Sequence, residues 1–253
     1  MTGKVLSNIK RNNNTPSDLH TIRTHLRNCP LFESASNQLI DDFAAQAQLI
    51  SCPAHSVLFM AEGPASRFYI VISGWIKLFK ETLDGQDVVI DLAGAGQIIG
   101  EMALYNGGLT TSSAEAVESA VLISLPLNLL ARALEENHAL ALSMLKTLAK
   151  DKRILNQEIE HLSTQTAAQR IGCFILRLVK GTASGPLHVN LPYDKALIAA
   201  RLGMKPETFS RALARLREET GLKINGAKIE LSDISILSEY CCIGCSSEFP
   251  CKE

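Results

Sequence analysis

Aromatic residues are scarce in this 253-residue chain: one Trp, four Tyr and eight Phe. Stacking platforms for single-stranded nucleic acid or sugars would have to be built from little material. No apolar run approaches the roughly 18 residues that cross a bilayer. The opening MTGKVLSNIKRNNNTPSD lacks the apolar core of a signal peptide, which predicts a cytoplasmic protein with no membrane partner. Net charge is nearly absent too: 25 basic residues against 26 acidic give −1, so the surface as a whole is not built to hold nucleic acid. No G-x4-G-K-S/T phosphate loop and no G-x-S-x-G nucleophile elbow is present, which removes those NTPase and hydrolase classes. A metalloenzyme in a β barrel finds little support, because His55 is the only histidine between His25 and His138, too few to ring a metal.

What the chain does have is apolar material, 46% of residues against 20% charged. That is enough for real cores in one large domain or two small ones, and it excludes a disordered chain. Over residues 49–125 short runs rich in β-branched and aromatic residues, such as Phe68-Tyr69-Ile70-Val71-Ile72, alternate with turn signals at Gly63-Pro64, Ser73-Gly74, Asp84-Gly85 and Asn106-Gly107-Gly108. Short strands at this spacing predict a small barrel or jelly roll, with a hairpin at Asp84-Gly85.

After Pro126 the period changes. Leu127, Leu134, Ala141, Leu148, Leu155 and Leu162 recur every seven residues, thickened by Leu130, Met144, Leu145 and Ile159, as in a helix with a coiled-coil-like seam. Asn137, a good N-cap residue, predicts a break into a short helix and a long one reaching about Thr164. Such a stripe can pack on its own domain, but a seam this long favours pairing with a second copy, a homodimer, even with Lys152 set inside it. Residues 163–166 interrupt the pattern, and an apolar face resumes with Ile171, Phe174, Ile175 and Leu178.

Residues 194–202 read as an alanine-rich amphipathic helix ended by Gly203, and Pro206 suits the first position of a second helix over 206–217. Helix, glycine turn, helix is the helix-turn-helix plan. Phe209, Leu213 and Leu216 form the buried face of the second helix, leaving Glu207, Thr208, Ser210, Arg211 and Arg215 outward. From 201 to 217 five basic residues stand against one acidic, a locally basic patch in a near-neutral chain. Within 222–231, Asn225-Gly226 between alternating flanks predicts a two-residue hairpin, the wing of a winged helix-turn-helix.

Together these features give an α+β protein: a polar tail over 1–22, a β roll over 23–125, dimerisation helices over 126–164, a winged helix-turn-helix over 165–238 and a cysteine-rich tail over 239–253. Residues 26–237 resemble the family of the cyclic-AMP receptor protein and the fumarate and nitrate reduction regulator. The resemblance is carried by Ile72-Ser73-Gly74-Trp75-Ile76-Lys77 and Gly100-Glu101-Met102-Ala103-Leu104 in the roll, by the long helix, and by Ala199 to Arg211 in the helix-turn-helix. Glu207, Ser210 and Arg211 reproduce the E-x-x-S-R pattern of the fumarate and nitrate branch, which implies a TTGAT-like half-site repeated as a palindrome. Pro206-Glu207-Thr208-Phe209-Ser210-Arg211 looks most like the dissimilatory nitrate respiration regulators. The partners so implied are double-stranded DNA, a second copy of the chain, and RNA polymerase contacted by roll loops. Lys205, Arg215 and Lys228 fit backbone-positioning charges better than base readers, and Thr208 and Ser210 could equally touch phosphate.

The signal is less determined. The resemblance gives a cyclic-nucleotide-binding-like roll, but relatives that hold cyclic AMP place an arginine and a serine shortly after the Gly-Glu motif. No arginine occurs between Arg67 and Arg132, so a cyclic phosphate would lack its guanidinium fork. Gly74, Gly100 and Glu101 then read as structural residues of the roll, with cyclic-nucleotide response kept as the alternative.

Seven cysteines in a reducing compartment are not a disulfide framework. Cys29, Cys52 and Cys173 are scattered and read as structural, whereas Cys241, Cys242, Cys245 and Cys251 fall within the last thirteen residues. Cys242, Cys245 and Cys251 form C-x2-C-x5-C, and Cys241 adds a fourth thiol in sequence, although adjacent cysteines rarely both ligate one cluster, which leaves a fourth ligand from elsewhere in the dimer open. Soft thiolates suit an iron-sulfur cluster or zinc, although zinc usually takes a second C-x2-C pair. A reduced, metal-free tail is the remaining reading of these residues. The nitrate-respiration resemblance adds haem, with His55, His138 and His161 as candidates.

Overall fold

Thr15 starts the first helix by a capping box: its side chain accepts from the Asp18 N–H while the Asp18 carboxylate accepts from the Thr15 N–H, with Pro16 in the first turn, so two otherwise orphaned donors are satisfied. The computed structural model describes residues 9–11, 15–179, 185–191, 194–243, 245–246 and 249. The chain forms two compact units, 1–148 and 149–253.

In the first unit β1 (Lys10–Arg11) and α1 (Pro16–Arg27) precede α2 (Asn37–Gln46), and the roll follows as β2 (Gln48–Cys52), β3 (Val57–Phe59), β4 (Arg67–Ser73), β5 (Ile76–Glu81), β6 (Asp87–Ala93), β7 (Ile98–Ile99), β8 (Ser113–Ala116) and β9 (Ala120–Pro126). Two antiparallel sheets result, ordered β1-β2-β9-β4-β7 and β3-β8-β5-β6. Ile50, Val71, Ile76, Ala114 and Leu122 fill the space between them. A second core forms where α1 and α2 pack on the roll through Ile22, Leu26, Ile40 and Phe43 against Phe68 and Ile123. The Asp84-Gly85 signal is the β5–β6 hairpin, with Glu81 opposite Asp87 and Gly85 at φ +80°.

Gly74 turns β4 into β5 at φ +81°, and a Cβ there would stand 2.8 Å from the Ala120 Cα and the Ser119 carbonyl oxygen. Backbone cannot yield as a flexible side-chain tip can. Gly74→Ala is therefore expected to destabilise the roll by about 1–3 kcal/mol through combined strain and overpacking. An unchanged urea midpoint would refute that account. Gly100, at φ +87°, opens the short 3-10 turn Glu101–Tyr105. Both glycines occupy the left-handed region of the backbone.

Leaving β9, the chain enters α3 (Leu127–Glu136) and α4 (His138–Thr164). Asn137 separates them and caps α4, its Oδ1 accepting from the Leu140 N–H at 2.9 Å. At 1.5 Å per residue the 27 residues of α4 span about 40 Å. The heptad stripe divides between two uses. Leu127, Leu130, Leu140 and Met144 are buried in the first unit's core, with Leu134 and Leu148 against it. Leu142, Leu145, Leu155, Ile159 and Leu162 stay exposed, Leu145 at 61% and Ile159 at 66%.

The second unit continues with α5 (Ala167–Arg177), β10 (Leu187–Asn190), α6 (Lys195–Arg201), α7 (Pro206–Thr220), β11 (Lys223–Asn225), β12 (Lys228–Leu231) and α8 (Ile234–Cys242). Its three-stranded sheet is ordered β10-β12-β11, so the wing hairpin is backed by the strand seen at 187–190. Asn225 pairs with Lys228, which makes Gly226-Ala227 the turn rather than Asn225-Gly226. Gly226 carries the positive φ, +63°. The last helix runs further than the tail boundary at 239 implied: Ile234, Leu237 and Cys241 are all buried, and their spacing lays them on one inward face. Among the described residues no helix is long and apolar enough to cross a membrane.

Candidate DNA-binding site

Gly203, in the left-handed region at φ +62°, turns α6 into α7, and the Met204 N–H donates to the Ala199 carbonyl at 2.8 Å to close the turn. Pro206 starts α7, whose Phe209, Ala212, Leu213, Leu216 and Thr220 are buried. Gly221, at φ +73°, ends it, three residues beyond the span to 217 that the sequence implies. The 3.6-residue period then forces 207, 210, 211 and 214 onto the opposite face. Glu207, Ser210, Arg211 and Arg215 are exposed and Thr208 is half-exposed. Lys205, at the N-cap, supplies no side-chain cap, so the first N–H groups of α7 are available to an anion such as a DNA phosphate. Lys205 and Lys228 are both exposed.

The basic patch is less basic than its residue count. Arg201 makes a two-pronged pair with Glu158 of α4, NH1 to Oε2 at 3.0 Å and NH2 to Oε1 at 2.8 Å. Arg177 of α5 reaches the same carboxylate, to Oε1 at 2.5 Å. Burial pushes the Glu158 carboxyl up, but Arg201 and then Arg177 outweigh it and hold the group below its ordinary value. Arg215 is engaged as well, its Nε 2.9 Å from Glu219 one turn on. Glu219 also accepts from the Tyr240 hydroxyl, and that bond and Arg215 keep its carboxyl low. Arg201 and Arg215 thus spend their charge inside the unit, while Lys205 and Arg211 have no ion pair among the described residues. The distant partner Glu158 left no local mark in sequence. Glu219, four residues from Arg215, did: an i,i+4 pair of opposite charge is a readable helix signal.

Among the described residues the tail cysteines do not gather. Cys241 is fully buried, with its sulfur over Gly172 of α5 and its thiol hydrogen-bonded to Cys173. Cys245 lies 3.3 Å from His161 Nε2, and Ser246 ties the same stretch to Glu160 through its N–H and hydroxyl, both at 2.8 Å. Cys251 lies outside the described residues. Among the described residues no group of three His, Cys, Asp or Glu could hold a metal ion. Cys241, turned into the domain core, does not fit a cluster or zinc site shared with Cys242 and Cys245. Nor do the histidines converge. His55 is exposed beside Glu115 and His138 is exposed, whereas His161 is buried, and burial and then the Arg177 charge lower its pKa.

Cys29 and Cys52 are pushed up to about 11 by burial and behave as small apolar residues. Cys173 differs from the structural reading of its sequence context. It is only part-buried, and its hydrogen bond from Cys241, with a further one from Gln165 and the Arg177 charge, brings it down to about 7 against the pull of burial.

In the roll, a cavity of about 80 Å³ is lined by Phe59, Leu78, Ile99, Gly100, Glu101 and Thr110 among others. Glu101 is the one charged residue in its lining, and a carboxylate repels a phosphate where a guanidinium would bind it.

Residues 49–137 match the cyclic nucleotide-binding domain family and residues 169–240 the Crp-like helix-turn-helix domain family. The chain is 28% identical over 214 residues to the cyclic AMP receptor protein of Thermus thermophilus, covering 85% of this chain and 97% of that one. It is 25% identical over 186 residues to the anaerobic regulatory protein of Pasteurella multocida, 72% of this chain and 68% of that one. A solved structure of a candidate cyclic nucleotide-binding protein from Ruegeria pomeroyi is similar at 33% identity and a TM-score of 0.67, over 88% of this chain and 97% of that one. The Crp-like helix-turn-helix match and the curated relatives are those of a transcription regulator family and not of an enzyme, and the two matched domains coincide with the roll and with the helix-turn-helix that exposes Arg211. The chain belongs to the Crp/Fnr family of DNA-binding transcription regulators.

Proposed function

We propose that the protein is a homodimeric regulator that reads a palindrome of TTGAT-like half-sites and sets the expression of anaerobic or nitrogen-oxide respiration genes by a redox or gas signal. The carrying observation is the single face of α7 on which Glu207, Ser210 and Arg211 are exposed together. An arginine fork donates to guanine O6 and N7, and a carboxylate accepts from a cytosine amino group. Lys205, Thr208 and Lys228 supply phosphate contacts that fix the register without reading sequence. Arg215, held by Glu219, is a weaker phosphate contact than its charge alone suggests.

The exposed Leu145, Leu155, Ile159 and Leu162 on α4 support the dimer, since they stand at seam spacing. Pairing two α4 helices sets two recognition helices against major grooves about 34 Å apart. Glu158 connects α4 to α5 and α6, so a shift of the dimer helix is felt by the helix-turn-helix. The signal changes the fraction of dimers whose spacing fits the operator. The protein works in the cytoplasm, and roll loops touch RNA polymerase at activated promoters.

Fluorescence anisotropy with a TTGAT palindrome and a duplex with scrambled half-sites tests the reading. The expected result is salt-sensitive binding by a dimer, at least roughly a thousandfold tighter for the palindrome. Equal affinity for both duplexes, or binding as a monomer, refutes it. Cyclic AMP added to the same titration is expected to leave the affinity unchanged, because the roll cavity carries no cationic group. A rise in affinity would instead favour a cyclic-nucleotide response.

A further inference from the structure

α5 and α8 meet within the second unit at a pair of sulfurs. Cys241 on α8 is fully buried, and its Sγ lies so close over Gly172 that a Cβ at 172 would stand 2.2 Å from it. Only a glycine lets the thiol occupy that space. The next residue of α5, Cys173, is part-buried, and its thiol is hydrogen-bonded to that of Cys241. Gln165 spans the pair, its Nε2 donating to Cys173 Sγ at 3.3 Å and to the Cys241 carbonyl at 3.1 Å. Arg177, one turn along α5, adds positive charge on the Cys173 side. This is the electropositive, partly open setting of a reactive cysteine. Cys29 and Cys52, sealed in apolar cores, have nothing comparable.

We propose that Cys173 and Cys241 form an oxidisable dithiol that closes to a disulfide under hydrogen peroxide and weakens DNA binding. The inference rests on the reading of the chain as a redox-responsive regulator and names the site of the response. The Cys173 thiolate attacks one peroxide oxygen, the O–O bond breaks, and hydroxide leaves to be protonated to water, giving the sulfenic acid. The Cys241 sulfur then attacks the Cys173 sulfur. Its proton passes to the departing hydroxide, and a second water leaves as the S–S bond forms. Two thiols lose two electrons, and one peroxide gains them as two waters.

Closure draws the sulfurs from hydrogen-bond contact to about 2.05 Å. Cys241 is packed without slack, so α8 follows. The preceding residue on α8, Tyr240, bonds through its hydroxyl to Glu219, which holds Arg215 on α7 at 2.9 Å. The recognition helix therefore feels the closure through a continuous chain of contacts.

The test uses the full chain, reduced and then treated with stoichiometric hydrogen peroxide. Free thiols are alkylated, peptides are mapped by mass, and binding to the palindrome is measured on the same samples. The expected result is a Cys173–Cys241 cross-link that dithiothreitol reverses, with affinity at least about fivefold weaker in the cross-linked form. Cys173→Ser and Cys241→Ala each abolish the cross-link, and the first, at a part-exposed position, serves if the second disturbs the core. Full alkylation of both residues after peroxide overturns the proposal, as does a cross-link of Cys242 to Cys245 in their place. A cross-linked form that binds DNA as well as the reduced one also overturns it. Binding by the reduced protein tests the functional reading separately, because the cross-link is read from masses whether or not the duplex is bound.

Discussion

Arg211→Ala is expected to abolish specific operator binding while the protein stays folded. The side chain is exposed and has no ion pair among the described residues, and the core positions of α7 are Phe209, Ala212, Leu213 and Leu216. Truncation therefore removes nothing inside the protein, and on the proposed reading it removes a contact to DNA. A bidentate arginine–guanine contact is worth about 1–3 kcal/mol of discrimination. A dimer uses it twice, so the loss is about 2–6 kcal/mol, from roughly thirtyfold to more than ten-thousandfold in affinity. Lys205→Ala separates base reading from charge. It is expected to weaken all duplexes alike and to reduce the salt slope by about one phosphate contact per half-site. Competition titrations with matched circular dichroism spectra check both. An Arg211→Ala protein that keeps the wild-type preference for the palindrome would take the reading face away from α7.

Much of this arrangement is legible in the sequence wherever the determinant is local. Asn137 marked the break between α3 and α4 because a cap is a property of three or four residues. Gly203 and Pro206 fixed the turn into α7 for the same reason, one supplying a positive φ and the other a preset helical φ. The wing turn came out one residue late because Asn225 and Gly226 both tolerate the turn, and only the pairing of β11 with β12 decides which pair of residues makes it. Charge was the least legible property. Five basic residues between 201 and 217 look like one patch, but Arg201 is turned inward to a glutamate 43 positions away. The heptad stripe misled in a similar way, since its Leu127, Leu134 and Leu148 serve an intramolecular core while Leu145, Leu155, Ile159 and Leu162 form an open face. Cys173 and Cys241 are 68 positions apart in sequence, and the absence of a side chain at Gly172, which lets them meet, has no meaning until α5 and α8 are packed.

Glu158→Ala is expected to be the most destabilising surface-proximal substitution in the second unit. The carboxylate serves two guanidinium groups at once, and the Arg201 side chain is only 13% exposed. Removing one partner of a buried pair costs about 3–5 kcal/mol, because the remaining charge is left desolvated. Partial exposure of Glu158 and Arg177 screens part of that, which puts the expected loss at about 2–4 kcal/mol. Glu158→Gln keeps the shape and one acceptor and should lose less. The pH dependence separates charge from packing. The folded-state carboxyl is held below its ordinary value near 4.5, so its contribution is fully present above that value and is lost as pH falls through the lower folded one. The stability gap between the native protein and Glu158→Gln should therefore be constant from pH 7 to about pH 5 and shrink below about 4.5. Urea unfolding followed by helix content across that range measures it. A gap unchanged at pH 4 and below would assign the loss to packing instead. Because Glu158 sits on α4 one turn from the exposed seam and pairs with α6 of the helix-turn-helix, the Gln variant should also loosen operator binding at pH 7, where its fold is intact. That result would make this ion pair the joint through which the dimer helix positions α7.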